Sequence, residues 1–282
     1  MAAPERIPHS ASERSPPENT LIIDAHSHVH DPVADHLALL DEAGVDRAVL
    51  FATRPHPERA QDLAGLRREL AVLDRSIGGL DNGADGFARA WQELDDALAA
   101  HPDRFIGFLA VPLQGTPRQV AEAVEREVVG RGLHGIGELT PPPGRAALVE
   151  PVLHAARDHG GLPVVVHGSA PTTADDLHTL ARLAARYPSV PLVISQLGGL
   201  HWMAAIEMVR DTPNMYLETS TANIVFSLRL AVREIPERIL FGSDAPYGDP
   251  VLARAMVERV TSSGELRDRI LGGNAAELLL GT

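Results

Sequence analysis

Eight short apolar segments, each followed by a longer amphipathic stretch, set the strongest limit on what this chain can fold into. They occupy residues 21–24, 47–51, 105–110, 133–138, 163–167, 191–195, 215–218 and 239–242. All are rich in Val, Ile and Leu, too short for helices and free of polar alternation, as expected of strands buried on both faces of a parallel sheet. Helical patterns fill the gaps at 117–129, 145–159, 173–187, 202–210 and 250–262, with short closing helices within 264–280. The unit recurs mostly every 24 to 29 residues. This rhythm predicts an α/β fold, a single (β/α)8 TIM barrel.

One interval breaks the rhythm. Residues 52–103 separate the second and third strands and hold two helical patterns around the glycine-rich break GGLDNGADG. They read as a helical insertion at about 54–103 over the barrel mouth; a lid and a lengthened surface connection both fit. Residues 1–20, rich in Pro, Ser, Glu and Arg, read as a flexible leader before a barrel at 21–282. The leader lacks the apolar stretch of a secretory signal, so the expected compartment is the cytoplasm. A net charge of −13 argues against nucleic acid and anionic membranes as partners. No apolar run approaches the roughly 20 residues of a membrane span. The expected partner is a small-molecule substrate, and association into a homo-oligomer stays open.

Barrels of this kind present their chemistry at the carboxyl ends of the strands. The first strand leads into Asp24-Ala25-His26-Ser27-His28, the fourth ends at Glu138, the fifth at His167 and the eighth runs into Asp244. His26 and His28, two apart on an extended segment, point to the same side and can grip one ion together. Each residue alone has a structural alternative: His167 a hydrogen-bonded core imidazole, Glu138 an arginine partner, Asp244 a helix cap. Their joint placement at four strand ends favours a metal site, with His26, His28, Glu138, His167 and Asp244 as candidate ligands. Composition restricts it further. The chain has no Cys and no Lys, so thiolates, Schiff bases and a carboxylated-lysine bridge are excluded. Imidazole and carboxylate ligands suit Zn²⁺ best, with Mn²⁺, Fe²⁺ or Co²⁺ as alternatives. Among other histidines, His36, His154, His159 and His178 fall in helical patterns, where a solvated or capping role is expected.

On these residues the chain resembles the amidohydrolase superfamily, through IDAHSH, GIGELT, VVVHG, ILFGSDAP and the closing GGNAAELL. It is most similar to the amidohydrolase-related group that includes aminocarboxymuconate-semialdehyde decarboxylase, over nearly the whole length from Leu21 to Leu280. Two departures stand out. The group carries a His after strand six, in HxGG, where this chain has Gln196 in QLGG. The resemblance makes that His the acid/base of the related decarboxylases, a role glutamine cannot fill. At strand four, Glu138 is the residue left to bridge metals where related binuclear enzymes use a carboxylated lysine.

The resulting expectation is a metal-dependent hydrolase that directs a metal-activated water at a C–N or C–O bond of a small organic metabolite. Asp244, His167 and Glu138 are its candidate catalytic residues. A non-oxidative decarboxylase on the same site is the alternative, and a non-catalytic metal-binding barrel the third reading. One ion is favoured, with a second as an option through Glu138, His167 and His201. Gln196, His201, Trp202, Arg54 and Tyr247 lie on segments that reach the mouth and are the candidate substrate contacts. Arg145, after strand four, is a further candidate carboxylate clamp.

Overall fold

A computed structural model describes residues 21–77, 84–262 and 264–281. The leader and most of the glycine-rich break lie outside the described residues. Eight parallel strands form one sheet in chain order, a (β/α)8 barrel. They are β1 (Ile23–His28), β2 (Arg47–Phe51), β3 (Phe105–Leu109), β4 (Gly135–Leu139), β5 (Val164–Val166), β6 (Leu192–Ile194), β7 (Met215–Glu218) and β8 (Ile239–Leu240). β8 is too short to close the barrel alone, so the residues after it run on beside β1. Ala25 N donates to Phe241 O at 2.7 Å, Asp244 N to His26 O at 2.8 Å and His28 N to Ala245 O at 2.7 Å. This seam sets Asp244 beside the two β1 histidines.

The strands read as continuous apolar runs because both of their faces are covered. Val49 and Phe51 of β2 point into the barrel with Ile106, Phe108, Val165 and Val193. Ala48 and Leu50, one residue out of phase, pack under the surrounding helices. The carboxyl-terminal helix (Asn274–Leu280) seals the amino-terminal end, with Ala275 buried in the inner cluster and Leu278 and Leu279 against it. The barrel is therefore filled below and open only at the carboxyl ends.

The first helix, α1 (Val33–Ala43), corrects one expectation. His36 is not solvated: with Leu40 and Ala43 it forms the buried stripe of this helix, at a spacing of four and three. Its Nε2 lies 3.2 Å from Ser27 Oγ, and its ring stacks on His30 at 4.0 Å. Burial drives its pKa well below the usual imidazole value. The neighbouring imidazoles of His30 and His28 and the Arg104 guanidinium add to that effect, so it stays neutral.

Between β2 and β3 the insertion forms a 3₁₀ turn (Pro57–Arg59), α2 (Leu63–Ile77) and α3 (Ala84–Ala100). His56, buried at its base, ties the three together. Its Nδ1 lies 2.9 Å from Glu58 Oε1 and its Nε2 3.1 Å from Glu93 Oε2, while its backbone N donates to Glu69 Oε2 at 2.9 Å. Burial opposes charge on this imidazole, but Glu58 and Glu93 outweigh it and raise the pKa. Glu58 is shifted down: burial pushes it up, and the bonds from His56 and Asp31 N more than reverse this. The His56 contribution is thus complete below its ordinary pKa of about 6.5 and fades as pH rises through the higher folded value. The Glu58 contribution is present above the ordinary carboxylate range and fades as pH falls through its lowered value. Replacing His56 with Gln should therefore lower the melting temperature most at about pH 5–6, with the difference shrinking in alkali. Thermal denaturation of both proteins across pH checks this, and a difference that grows with pH would contradict it.

Candidate metal centre and cavity

His26 and His28 both lie within β1, where pairing with β2 shifts register between Asp24 and Ser27. Both rings end against the same buried neighbour, Phe51, at 4.8 and 5.8 Å. Their Nε2 atoms face each other at 3.4 Å. Asp244 Oδ1 completes the group, 3.2 Å from His28 Nε2 and 3.6 Å from His26 Nε2. Among the described residues these three form the cluster whose ligand atoms all fall within 4.8 Å of one another. Asp24, fully buried, braces it from behind. It accepts from the backbone N of His26 at 3.0 Å and of Ser243 at 2.9 Å, and from the hydroxyls of Ser27 and Ser243. Burial raises its pKa to about 6 despite those bonds.

Glu138, at the end of β4, stands on the opposite side. Its Oε2 lies 3.8 Å from His26 Nε2, while Oε1 contacts His167 Nδ1 at 3.0 Å and accepts from Gln196 Nε2 at 3.1 Å. His167 also places Nε2 3.0 Å from Ala170 O, so both its ring nitrogens are engaged away from the His26–His28 pair. Glu138 ionises well below the usual carboxylate range: burial pushes its pKa up, and His167 and His26 more than offset this. The His167 pKa is raised, since Glu138 outweighs the opposing effect of burial.

Gln196 is fixed in one amide orientation. Its Oε1 accepts from the backbone N of Gly168 at 3.0 Å and of Ser169 at 3.3 Å, which turns Nε2 toward Glu138 and toward Asp244 Oδ2 at 3.4 Å. Gln196, Thr221 and Asp244, all lining the cavity, have positive φ of 48°, 51° and 60°. Each such position costs on the order of 1–3 kcal/mol for a residue with a side chain, a strain that concentrates at working sites.

One residue escaped the sequence reading. Glu218, wholly buried at the end of β7, sets Oε2 3.1 Å from His26 Nδ1. The same oxygen accepts from Ser220 Oγ at 2.7 Å and Gln196 N at 3.3 Å, and Oε1 accepts from Ser220 N. It fits only because residue 242 is glycine, where a Cβ would come within 2.0 Å of Glu218 Oε1. A charged residue ending a buried strand was the available signal.

These residues fit a divalent cation. Two imidazole nitrogens about 2.0–2.1 Å from one tetrahedral ion would stand about 3.4 Å apart, and that is the spacing here. Charge agrees: burial disfavours a protonated His26, yet Glu138, Asp244 and Glu218 together raise its pKa to about 10. A centre this negative calls for positive charge. Glu218 supplies the carboxylate partner that metal-binding imidazoles commonly have on their second nitrogen.

Above the centre lies a cavity of about 510 Å³. His28, Glu138, His167, Gln196 and Asp244 form its polar floor, and Arg54 and Tyr247 also line it. The Arg54 guanidinium sits 5.5 Å from the Phe87 ring centre, and Tyr247 meets His28 edge-on at 5.6 Å. His201 and Trp202 are not brought to this wall. Positive φ at Leu197, Gly198 and Gly199 turns the chain outward after β6, and Trp202 packs on Phe226 at 5.7 Å. Arg145 is exposed in the turn before a 3₁₀ segment.

A family model described as Amidohydrolase matches residues 23–280. No curated protein matches the sequence. Among solved structures, the chain is similar to 5-carboxyvanillate decarboxylase from Sphingomonas paucimobilis, at 19% identity and a TM-score of 0.63, over 93% of this chain and 99% of that one. It is similar to 2,6-dihydroxybenzoate decarboxylase from Rhizobium, at 18% identity and a TM-score of 0.63, over 93% and 98%. A Polaromonas dihydroxybenzoic acid decarboxylase with bound manganese and 2-nitroresorcinol matches at 20% identity and a TM-score of 0.64, over 93% and 97%. These similarities overturn the expectation of a hydrolase, because the three enzymes that share this fold are decarboxylases. Among the described residues no helix is long and apolar enough to cross a membrane.

Proposed function

The chain belongs to the amidohydrolase family, and on that premise we propose that it is a metal-dependent decarboxylase of an aromatic acid. The observation that carries this reading is the cavity itself, a ligand-bearing polar floor under largely apolar walls. In a cavity closed off by apolar walls, a carboxylate at the floor loses bulk hydration that departing neutral CO₂ does not need, so such a site favours C–C cleavage. Three decarboxylases with the same fold support it.

His26, His28 and Asp244 Oδ1 would hold a divalent ion, Mn²⁺ or Zn²⁺, with Glu138 and His167 at its side. When bound, that ion supplies positive charge to hold the acid oxygens of the substrate. The chain's own residues do the rest. Asp244 delivers a proton from Oδ2 to the ring carbon that bears the carboxylate. The C–C bond then breaks, its electron pair returns to the ring, and CO₂ departs. Asp244 takes its next proton from water. Gln196 cannot transfer protons, but its Nε2 fixes Oδ2, so this glutamine positions the acid instead of being it. His167 holds Glu138. Arg54 offers charge to a second acidic or hydroxyl group on the substrate.

The test is CO₂ release from 2,6-dihydroxybenzoate, 5-carboxyvanillate and related hydroxybenzoic acids by protein loaded with Mn²⁺ or Zn²⁺. Release should vanish with a chelator and return with metal. Metal-loaded protein that releases no CO₂ from any acid of the panel would overturn the proposal.

A further inference from the structure

The cavity has two zones, and the second is unused by the chemistry above. The floor at the strand ends carries His28, Glu138, His167, Gln196 and Asp244, and Thr53, Arg54, Gln114 and Thr140 add polar groups along the wall above it. The flank on the β2-to-β4 side is formed by Leu73 of α2, Phe87 of α3, Val111 and Leu113 after β3, and Pro142 and Leu148 after β4. We propose that this flank is a specificity site for an apolar substituent, and that the substrate is an aromatic acid with an alkyl or aryl group on the ring edge remote from its carboxylate. This rests on the decarboxylase reading and adds which acid is preferred.

Two observations carry it. A volume of about 510 Å³ falls in the range of about 300–1,000 Å³ that takes drug-sized ligands. A single-ring acid seated at the floor leaves much of that space empty. The flank is also built from the segment that breaks the β/α rhythm: Leu73 and Phe87 come from the insertion, whose helices His56 anchors to the loop after β2. Phe87 is further held by Arg54 over its ring and by Trp91, 6.0 Å between ring centres. Neither side chain is buried in the barrel core; each is half-exposed at the cavity. An apolar substituent there removes their surface and its own from water, worth roughly fourfold in affinity per methylene.

The experiment compares 2-hydroxybenzoic acids carrying H, methyl, propyl and butyl at the 4-position, with metal-loaded full-length protein. kcat/KM should rise roughly fourfold per methylene until the flank is filled. Phe87→Ala and Leu73→Ala should each cut the butyl-to-hydrogen ratio at least about tenfold, and Phe87→Leu should restore most of it. A flat or falling series in the wild-type protein, or variants that keep the slope, would overturn the proposal. If no acid of the series is turned over, calorimetric binding to the metal-loaded protein reads the same slope. Tighter binding with chain length then upholds the flank while the decarboxylase reading fails, and a flat binding series sinks the flank.

Discussion

Asp244→Asn should lower CO₂ release by roughly 10²–10⁴-fold, the usual contribution of a positioned proton donor, in protein whose metal content at saturation stays near that of the wild type. The asymmetry of its two oxygens is the reason. Oδ1 faces His26 and His28 at 3.6 and 3.2 Å, whereas Oδ2 is held by Gln196 Nε2 at 3.4 Å. An Asn oxygen can replace Oδ1 toward the ion, but its amide cannot deliver a proton. The amide would also meet Gln196 donor to donor, and Gln196 cannot rotate to accept, because its Oε1 is committed to the backbone N of Gly168 and Ser169. Single-turnover CO₂ release with metal analysis on the same samples tests this. Activity within about tenfold of wild type at equal metal content would remove Asp244 from the proton step.

Glu218→Gln should weaken metal binding by roughly 10–100-fold, the usual effect of losing a carboxylate behind a metal-binding imidazole. Oε2 faces His26 Nδ1 at 3.1 Å and accepts from Ser220 Oγ and Gln196 N. An amide at this position must turn its NH₂ toward donors on one side or toward His26 on the other. In the second case His26 loses its acceptor, and in the first it keeps only a neutral amide oxygen while the NH₂ is pressed against Ser220 N. Gly242→Ala should act in the same direction, because its Cβ needs the space of Glu218 Oε1. Competition against a metallochromic chelator measures the affinity, and circular dichroism separates it from unfolding. Affinity within twofold of wild type in a folded Glu218→Gln protein would show that Glu218 serves only the packing of β7.

His26, His28, Glu138, His167 and Asp244 could be picked out as candidates because strand ends in a parallel barrel share one rim, and the apolar runs mark where each strand ends. Reaction class was not legible. The same ligands serve hydrolysis and decarboxylation, and the missing imidazole at Gln196 pointed away from the decarboxylase reading proposed above. Only the folded chain shows Gln196 holding Asp244 in place. His36 was misjudged because a polar residue in a helical pattern reads as solvated until the face that packs inward is known.

By itself, then, the sequence determined the barrel, the imidazole and carboxylate character of the candidate centre and the absence of any lysine or thiolate chemistry. These follow from residue type and from periodicity, both local properties. Only the tertiary structure decided that His26, His28 and Asp244 meet at one point, that Glu218 stands behind His26, and that Leu73 and Phe87 face the cavity while Trp202 does not. Those relations join residues as many as 218 positions apart. They depend on how β8 closes against β1 and on which way each loop turns, and no local pattern encodes either.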